Sequence, residues 1–139
     1  MTGIDFLVTH VIAPVSTGPL PGFMSKQVLQ ARRVYLEAVV RGRAPLSVAS
    51  VGWEKCARDY TIDRKTFPFL SVEFVAAGRG TVEIKGETHE LRPGSLFSYG
   101  PGIAYRMRTD PTDLLDKYFV DFMGPLARPL MDELDLAPG

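Results

Sequence analysis

Residues 73–105 run EFVAAGRGTVEIKGETHELRPGSLFSYGPGIAY. Short apolar stretches rich in Val, Ile, Phe and Tyr are cut there at Gly78-Arg79-Gly80, Lys85-Gly86, Pro93-Gly94 and Gly100-Pro101-Gly102. That is how short antiparallel strands of a sandwich or barrel are written. Lys85-Gly86-Glu87 reads as a tight hairpin, with Val82 and Ile84 on one face and Glu83 and Lys85 on the other. The same rhythm continues on both sides. Runs at Leu46–Val51, Cys56–Ile62, Phe67–Ala77 and Lys117–Met123 join Gly80–Lys85, Glu87–Leu91, Leu96–Tyr99 and Tyr105–Arg108. Together they predict an all-β antiparallel barrel over residues 26–124.

The ends are written differently. Ala13, Pro14, Gly18, Pro19, Pro21 and Gly22 favour turns and extended backbone, so residues 1–25 read as an arm. Over Ser25–Val40, the spacing of Val28, Ala31 and Leu36 behind Ser25 suits a capped helix, while Val34, Tyr35, Val39 and Val40 are strand formers. The reading is a short helical turn leading into a strand. Gly124-Pro125 breaks the last strand, and residues 125–139 carry a short helix and the start of a linker. With Pro129 as first helical residue, Asp132 and Glu133 fall where the helix dipole favours negative charge. Leu130, Met131 and Leu134 then form an apolar stripe. A helix this short does not hold alone in water, so the stripe packs on the barrel or on a partner.

The 139 residues suit one domain with its own core. Sixteen basic and sixteen acidic side chains balance, leaving no electrostatic footprint for nucleic acid or anionic lipid. Cys56 is the single cysteine, so no intrachain disulfide forms, and a reducing cytoplasm is the expected compartment. No apolar run is long enough to span a membrane, and Met1–Val15 lacks the basic start of a secretory signal.

Two spacings carry more specific information. Glu73 is followed after six residues by Gly80, and Gly94 by five residues, Gly100-Pro101-Gly102, two residues, Tyr105, three residues and Thr109. This resembles the two motifs of the cupin signature, and so implies a jelly-roll barrel. In metal-binding cupins, histidines stand where this chain has Phe67, Phe69 and Tyr105. A lone carboxylate with a phenol is a poor ligand set, since metal sites need three or four convergent donors. No metal is expected. His10 and His89 fall outside the motif positions. Alternation places Phe67, Phe69, Glu73, Tyr105 and Met107 inside the barrel, with Arg106 and Arg108 outside. That describes either an aromatic-lined small-molecule pocket or a filled core. A buried Glu73 needs a partner, and the candidates are Arg64, Lys117, Tyr99 and Tyr105. Trp53, Lys55 and Tyr60 could reach a cavity mouth.

Over about residues 51–124 the chain also resembles the N-terminal domain of AraC-type transcription regulators. The likeness rests on Gly52-Trp53-Glu54-Lys55-Cys56, Tyr60 with Arg64, Phe67-Pro68, Glu73-Phe74-Val75, Gly78-x-Gly80, Leu91-x-Pro93-Gly94, Tyr99-Gly100-Pro101-Gly102 and Lys117-Tyr118-Phe119-Val120-Asp121-Phe122. The resemblance implies an effector held inside the barrel, an arm that closes over it, and a homodimer formed through helices after the barrel. On this chain those parts are Phe67, Phe69, Glu73, Tyr105, Met107, Arg64 and Tyr99 for the ligand, and Leu130, Met131 and Leu134 for the dimer. The effector is a sugar or, given the phenylalanines, an aromatic or amphipathic molecule. DNA is reached only through a helix-turn-helix domain, which this sequence does not contain. The expectation is a sensor without catalytic residues or cofactor. The alternatives are a metal-independent cupin isomerase or epimerase using Glu73, Tyr105 or His89, and a purely structural dimerisation module with a filled barrel.

Overall fold

The computed structural model describes residues 22–35 and 44–138. Among these residues are nine strands: β1 (Val28–Tyr35), β2 (Ser47–Cys56), β3 (Thr61–Arg64), β4 (Leu70–Ala77), β5 (Gly80–Ile84), β6 (Glu87–Leu91), β7 (Leu96–Tyr99), β8 (Tyr105–Thr109) and β9 (Asp116–Met123). Among the described residues one helix, α1 (Ala127–Glu133), follows them. The strands form a five-stranded sheet in the order β1-β2-β9-β4-β7 and a four-stranded sheet in the order β3-β8-β5-β6. All pairs are antiparallel, as the punctuation predicts, and the two sheets make the jelly-roll sandwich that the cupin resemblance implies. The expected hairpin is there: Ile84 pairs with Glu87 across Lys85-Gly86, both at positive φ, the two-residue turn whose twist matches its strands.

The two inner faces differ in chemistry. The four-stranded sheet buries Ile84, Val82, Leu91, Tyr105 and Met107, as an apolar inner face should. The inner face of the five-stranded sheet is mixed: beside Cys56, Val75, Tyr99 and Phe119 it buries Ser50, Glu54, Ser71, Glu73, Lys117 and Asp121, while Val51, Phe74 and Tyr118 stand exposed on the other side. Period-2 alternation makes the two faces exclusive. Gly52 adds to this arrangement, because a Cβ there would lie 2.5 Å from the Arg32 carbonyl oxygen and 3.0 Å from the Phe119 ring. Only glycine lets β1 and Phe119 both approach β2.

Several expectations are corrected. Residues 28–35 are strand, and among the described residues no helix precedes them, because β1 pairs with β2 from Val28 to Tyr35 around a bulge at Leu29. Residues 36–43 and the arm before residue 22, including His10, lie outside the described residues. The run Cys56–Ile62 is broken by a turn in which the Tyr60 amide donates to Ala57, so β2 runs on to Cys56 and β3 starts afresh. Phe67 and Phe69 precede β4 rather than belonging to it. The helix starts at Ala127, not Pro129. Pro129 falls in the first turn, where backbone N–H groups lack intrahelical acceptors anyway, so its missing donor costs nothing. The stripe of Leu130, Met131 and Leu134 divides: Met131 is buried with Ala127 against Phe122, while Leu130 and Leu134 face solvent.

Candidate functional site

Buried polar groups meet between the sheets. Lys117 Nζ sits 2.8 Å from Glu73 Oε2 and 3.1 Å from Glu54 Oε2, with all three side chains no more than 6 % exposed. Arg33 Nη2 reaches Glu54 Oε1 at 2.7 Å. The Tyr99 hydroxyl donates to Glu73 Oε1 at 2.6 Å, and the Tyr99 ring stacks on Tyr105 at 4.0 Å. The Ser50 hydroxyl donates to the Asp121 carboxylate. Ser71, paired with Asp121 across β4 and β9, is buried beside the same carboxylate.

The charges hold one another in place. Burial opposes the Lys117 ammonium, but Glu73, Tyr60 and Glu54 outweigh it and keep the proton well above the ordinary lysine range. Burial pushes Glu54 up, and Lys117 and Arg33 more than offset it, so Glu54 ends below its usual value. Among the described residues Asp121 has no ion pair: burial raises it to about 6, with the hydrogen bonds from Ser50 and Ser71 offsetting only part. Burial also lifts the Cys56 thiol and the Tyr105 phenol to about 12, so neither is poised as a nucleophile or base.

Phe23, Met24 and Ser25 close the open end. The Phe23 ring meets Phe67 at 5.9 Å and Phe69 at 5.3 Å, both edge to face, and Met24 is buried. The Phe23 carbonyl oxygen accepts from Arg64 at 2.5 Å, and the Ser25 carbonyl oxygen from Arg33 at 2.7 Å. The space remaining inside is about 30 Å³. That is room for water, and far below the roughly 300–1,000 Å³ of a small-molecule pocket. A separate open cleft of about 360 Å³ lies between β6 and β7, lined by Phe97 and Leu136 among others.

Of the expected interior residues, Phe67, Glu73, Tyr99, Tyr105 and Met107 are buried together, and Phe69 is half-buried against the same core. Arg106 and Arg108 are exposed, as alternation requires. Glu73 takes Lys117 and Tyr99 as partners. Arg64, which had been an equal candidate, spends its charge on the Phe23 carbonyl and a 3.5 Å bond to the Tyr105 hydroxyl. Tyr60 is buried with its ring 5.4 Å from Lys117 Nζ. Trp53 and Lys55 lie on the outer face, where the Trp53 indole donates to Asp116. His89 is exposed at the hairpin. Among the described residues, no three His, Cys, Asp or Glu side chains form a group able to hold a metal ion. Glu73, the single cupin ligand retained, is tied to an ammonium. This donor set does not fit a metal.

Glu54, Asp121, Arg33 and Phe23 were not anticipated. Parity with Lys117 would have found Asp121, two strand steps away. Glu54 lay beyond the expected end of its strand.

Residues 47–139 match the family model of the AraC-like ligand binding domain. The chain belongs to that family. No curated protein matches the AraC-like chain in sequence. Among solved structures, its fold is similar to a cupin 2 conserved barrel domain protein from Salinispora arenicola, with TM-score 0.55 and 15 % identity over 86 % of this chain and 98 % of that one. It is similar also to the plu4264 protein of Photorhabdus luminescens, with TM-score 0.56 and 11 % identity over 80 % and 88 %. A predicted oxalate decarboxylase from Thermotoga maritima gives TM-score 0.53 and 11 % identity over 67 % and 80 %. At these identities the likeness is one of fold. Among the described residues of the AraC-like domain, no helix is long and apolar enough to cross a membrane.

Proposed function

We propose that this AraC-like domain senses a small molecule inside its barrel and signals through the segment that closes it, as the effector-binding and dimerisation part of a transcription regulator. The observation that carries the reading is the cluster of buried polar side chains on the inner face of the five-stranded sheet. A barrel built only to be filled has no use for Glu54, Ser71, Glu73, Lys117 and Asp121 on its inner face, since each buried polar group costs stability unless partnered. Ser71 and Asp121, buried side by side on β4 and β9, add polar groups that a ligand could address. Ligand contact is assigned to Phe67, Phe69, Glu73, Tyr99, Tyr105, Met107 and Arg64. Entry requires residues 22–25 to withdraw, so a ligand that displaces them shifts the segment between two positions. Homodimerisation is assigned to the exposed side of α1 with Leu130 and Leu134. DNA is left to a helix-turn-helix unit outside this sequence, in keeping with the zero net charge.

The test is thermal unfolding of the chain against monosaccharides, aromatic acids and divalent metal salts, because a ligand specific to the folded state raises Tm by mass action. A shift with one organic class supports sensing. A shift with metals alone contradicts the metal-free reading. The small interior volume favours one rival, the filled structural barrel. Silence throughout, persisting when Phe23→Ala opens the mouth, would establish that rival.

A further inference from the structure

Resting on the sensing reading above, we infer that the ligand is an aryl-alkanoate: an aromatic ring joined by about two carbons to a carboxylate, which takes the place of Phe23. Two observations fix the two halves of this molecule.

The first is the charge at the mouth. The barrel end holds three cations, Arg33, Lys117 and Arg64. Arg33 and Lys117 each face carboxylates within 3.1 Å. Arg64 is half-buried with its guanidinium 5.3 Å from the Phe67 ring centroid. Among the described residues it has no carboxylate partner, and its short bond goes to the neutral Phe23 carbonyl oxygen. A guanidinium is shaped to take a carboxylate in its fork, and a charge-assisted bond is about twice as strong as one to a neutral acceptor. A free carboxylate therefore outcompetes the backbone carbonyl at this position.

The second is the ring. Phe23, Phe67 and Phe69 form a mutual edge-to-face triad with centroids 5.3–5.9 Å apart. Phe67 and Phe69 hold the site's walls, so the slot Phe23 fills is already shaped for an aromatic ring. Ring, two carbons and carbonyl oxygen of Phe23 make up a phenylpropanoyl unit held at both ends. The free acid of that unit, 3-phenylpropionate, reproduces the contacts and adds the missing charge. Phe23 thus acts as a neutral stand-in for the ligand, and release of residues 22–25 follows from exchange of one for the other.

The experiment is isothermal titration of the 139-residue chain with 3-phenylpropionate, the alcohol 3-phenylpropan-1-ol, the amine 3-phenylpropylamine and arabinose, repeated on Phe23→Ala and Arg64→Gln. The acid is expected to bind about tenfold or more tighter than the alcohol, the size of one charge-assisted bond. Phe23→Ala raises its affinity about tenfold, since the competing occupant is gone. Arg64→Gln erases the preference for acid over alcohol. Equal binding of acid and alcohol, or preference for the amine or the sugar, overturns the aryl-alkanoate inference while leaving the sensing reading standing. No binding of any probe to the folded Phe23→Ala chain overturns the aryl-alkanoate inference, and the sensing reading falls with it only where the wider thermal-unfolding screen is silent as well. The acid-against-alcohol comparison on the unaltered chain needs no variant, so it decides the matter even if Arg64→Gln fails to fold by circular dichroism.

Discussion

Lys117 reaches from β9 to place its ammonium 2.8 Å from the Glu73 carboxylate of β4, with both side chains almost wholly out of solvent. Removing one member of such a pair leaves the other buried and uncompensated, which costs about 3–5 kcal/mol. Lys117→Met strands Glu73 and weakens the hold on Glu54, so it falls in that range. Glu73→Gln is milder, about 1–3 kcal/mol, because Lys117 keeps Glu54. Arg106→Gln breaks only the exposed pair with Asp63, worth about 1 kcal/mol or less. Urea midpoints at constant m-value measure all three. Equal, small effects would show that Glu73 and Lys117 do not face the interior.

The strands and turns of residues 70–109 were legible because each strand end is marked by Gly or Pro and no tertiary contact overrides the local pattern there. Glu73 as an interior residue was legible from parity with the turn motifs. The rest of the polar floor was not, for a physical reason. On β2 and β9 the apolar residues Val51, Trp53, Tyr118 and Val120 alternate with Ser50, Glu54, Lys117 and Asp121, and hydrophobicity alone directs the wrong face inward. The cost of burying these polar groups is met by ion pairs between strands far apart in sequence, which no local pattern reports. The plug was hidden for a related reason: Phe23 sits among Pro21, Gly22 and polar residues, and only the three-dimensional meeting with Phe67 and Phe69 gives it a place.

Asp121 sets the sign of one pH dependence. Its folded-state value, about 6, lies above the ordinary aspartate value of 3.8, so the folded chain binds this proton more tightly than the unfolded one. The stability this proton contributes is fully present below the ordinary value and is lost as pH rises through about 6. Asp121→Asn, which keeps an acceptor for Ser50, removes that loss. It is expected to match the parent near pH 3.5 and to exceed it by about 2–3 kcal/mol at pH 8. Glu54, lowered in the fold, loses its contribution in acid in both proteins, so the difference between them isolates Asp121. Denaturant melts across pH 3.5–8 check it, and a difference that does not grow with pH would contradict the burial of this carboxylate.

Gly52 is expected to tolerate no side chain. The Cβ of Gly52→Ala would meet the Arg32 carbonyl oxygen of β1 and the Phe119 ring, and relief requires β1 to move off β2. Overpacking of this kind costs about 1–3 kcal/mol. The displacement also pulls on Arg33, which joins Glu54 to the Ser25 carbonyl oxygen. Amide hydrogen exchange of residues 28–35 is therefore expected to rise in Gly52→Ala more than exchange in β5 or β8. Uniform change across all strands would mean that the glycine serves general packing and not the seating of β1.

Neighbouring positions of α1 are expected to separate stability from association. Met131 is 1 % exposed and packs on Phe122, whereas Leu134 is 57 % exposed and shares its side of the helix with Leu126 and Leu130. Met131→Ala opens a cavity under the helix and costs about 2–5 kcal/mol. Leu134→Glu touches no packed surface, so its stability as a dilute monomer stays within about 0.5 kcal/mol. If the exposed ridge is a dimer surface, Leu134→Glu places a charge in an apolar contact and shifts the sedimentation profile toward monomer. Retention of a dimer by Leu134→Glu would move the interface away from α1, to the outer side of the five-stranded sheet, where Val51, Phe74 and Tyr118 form the alternative apolar surface.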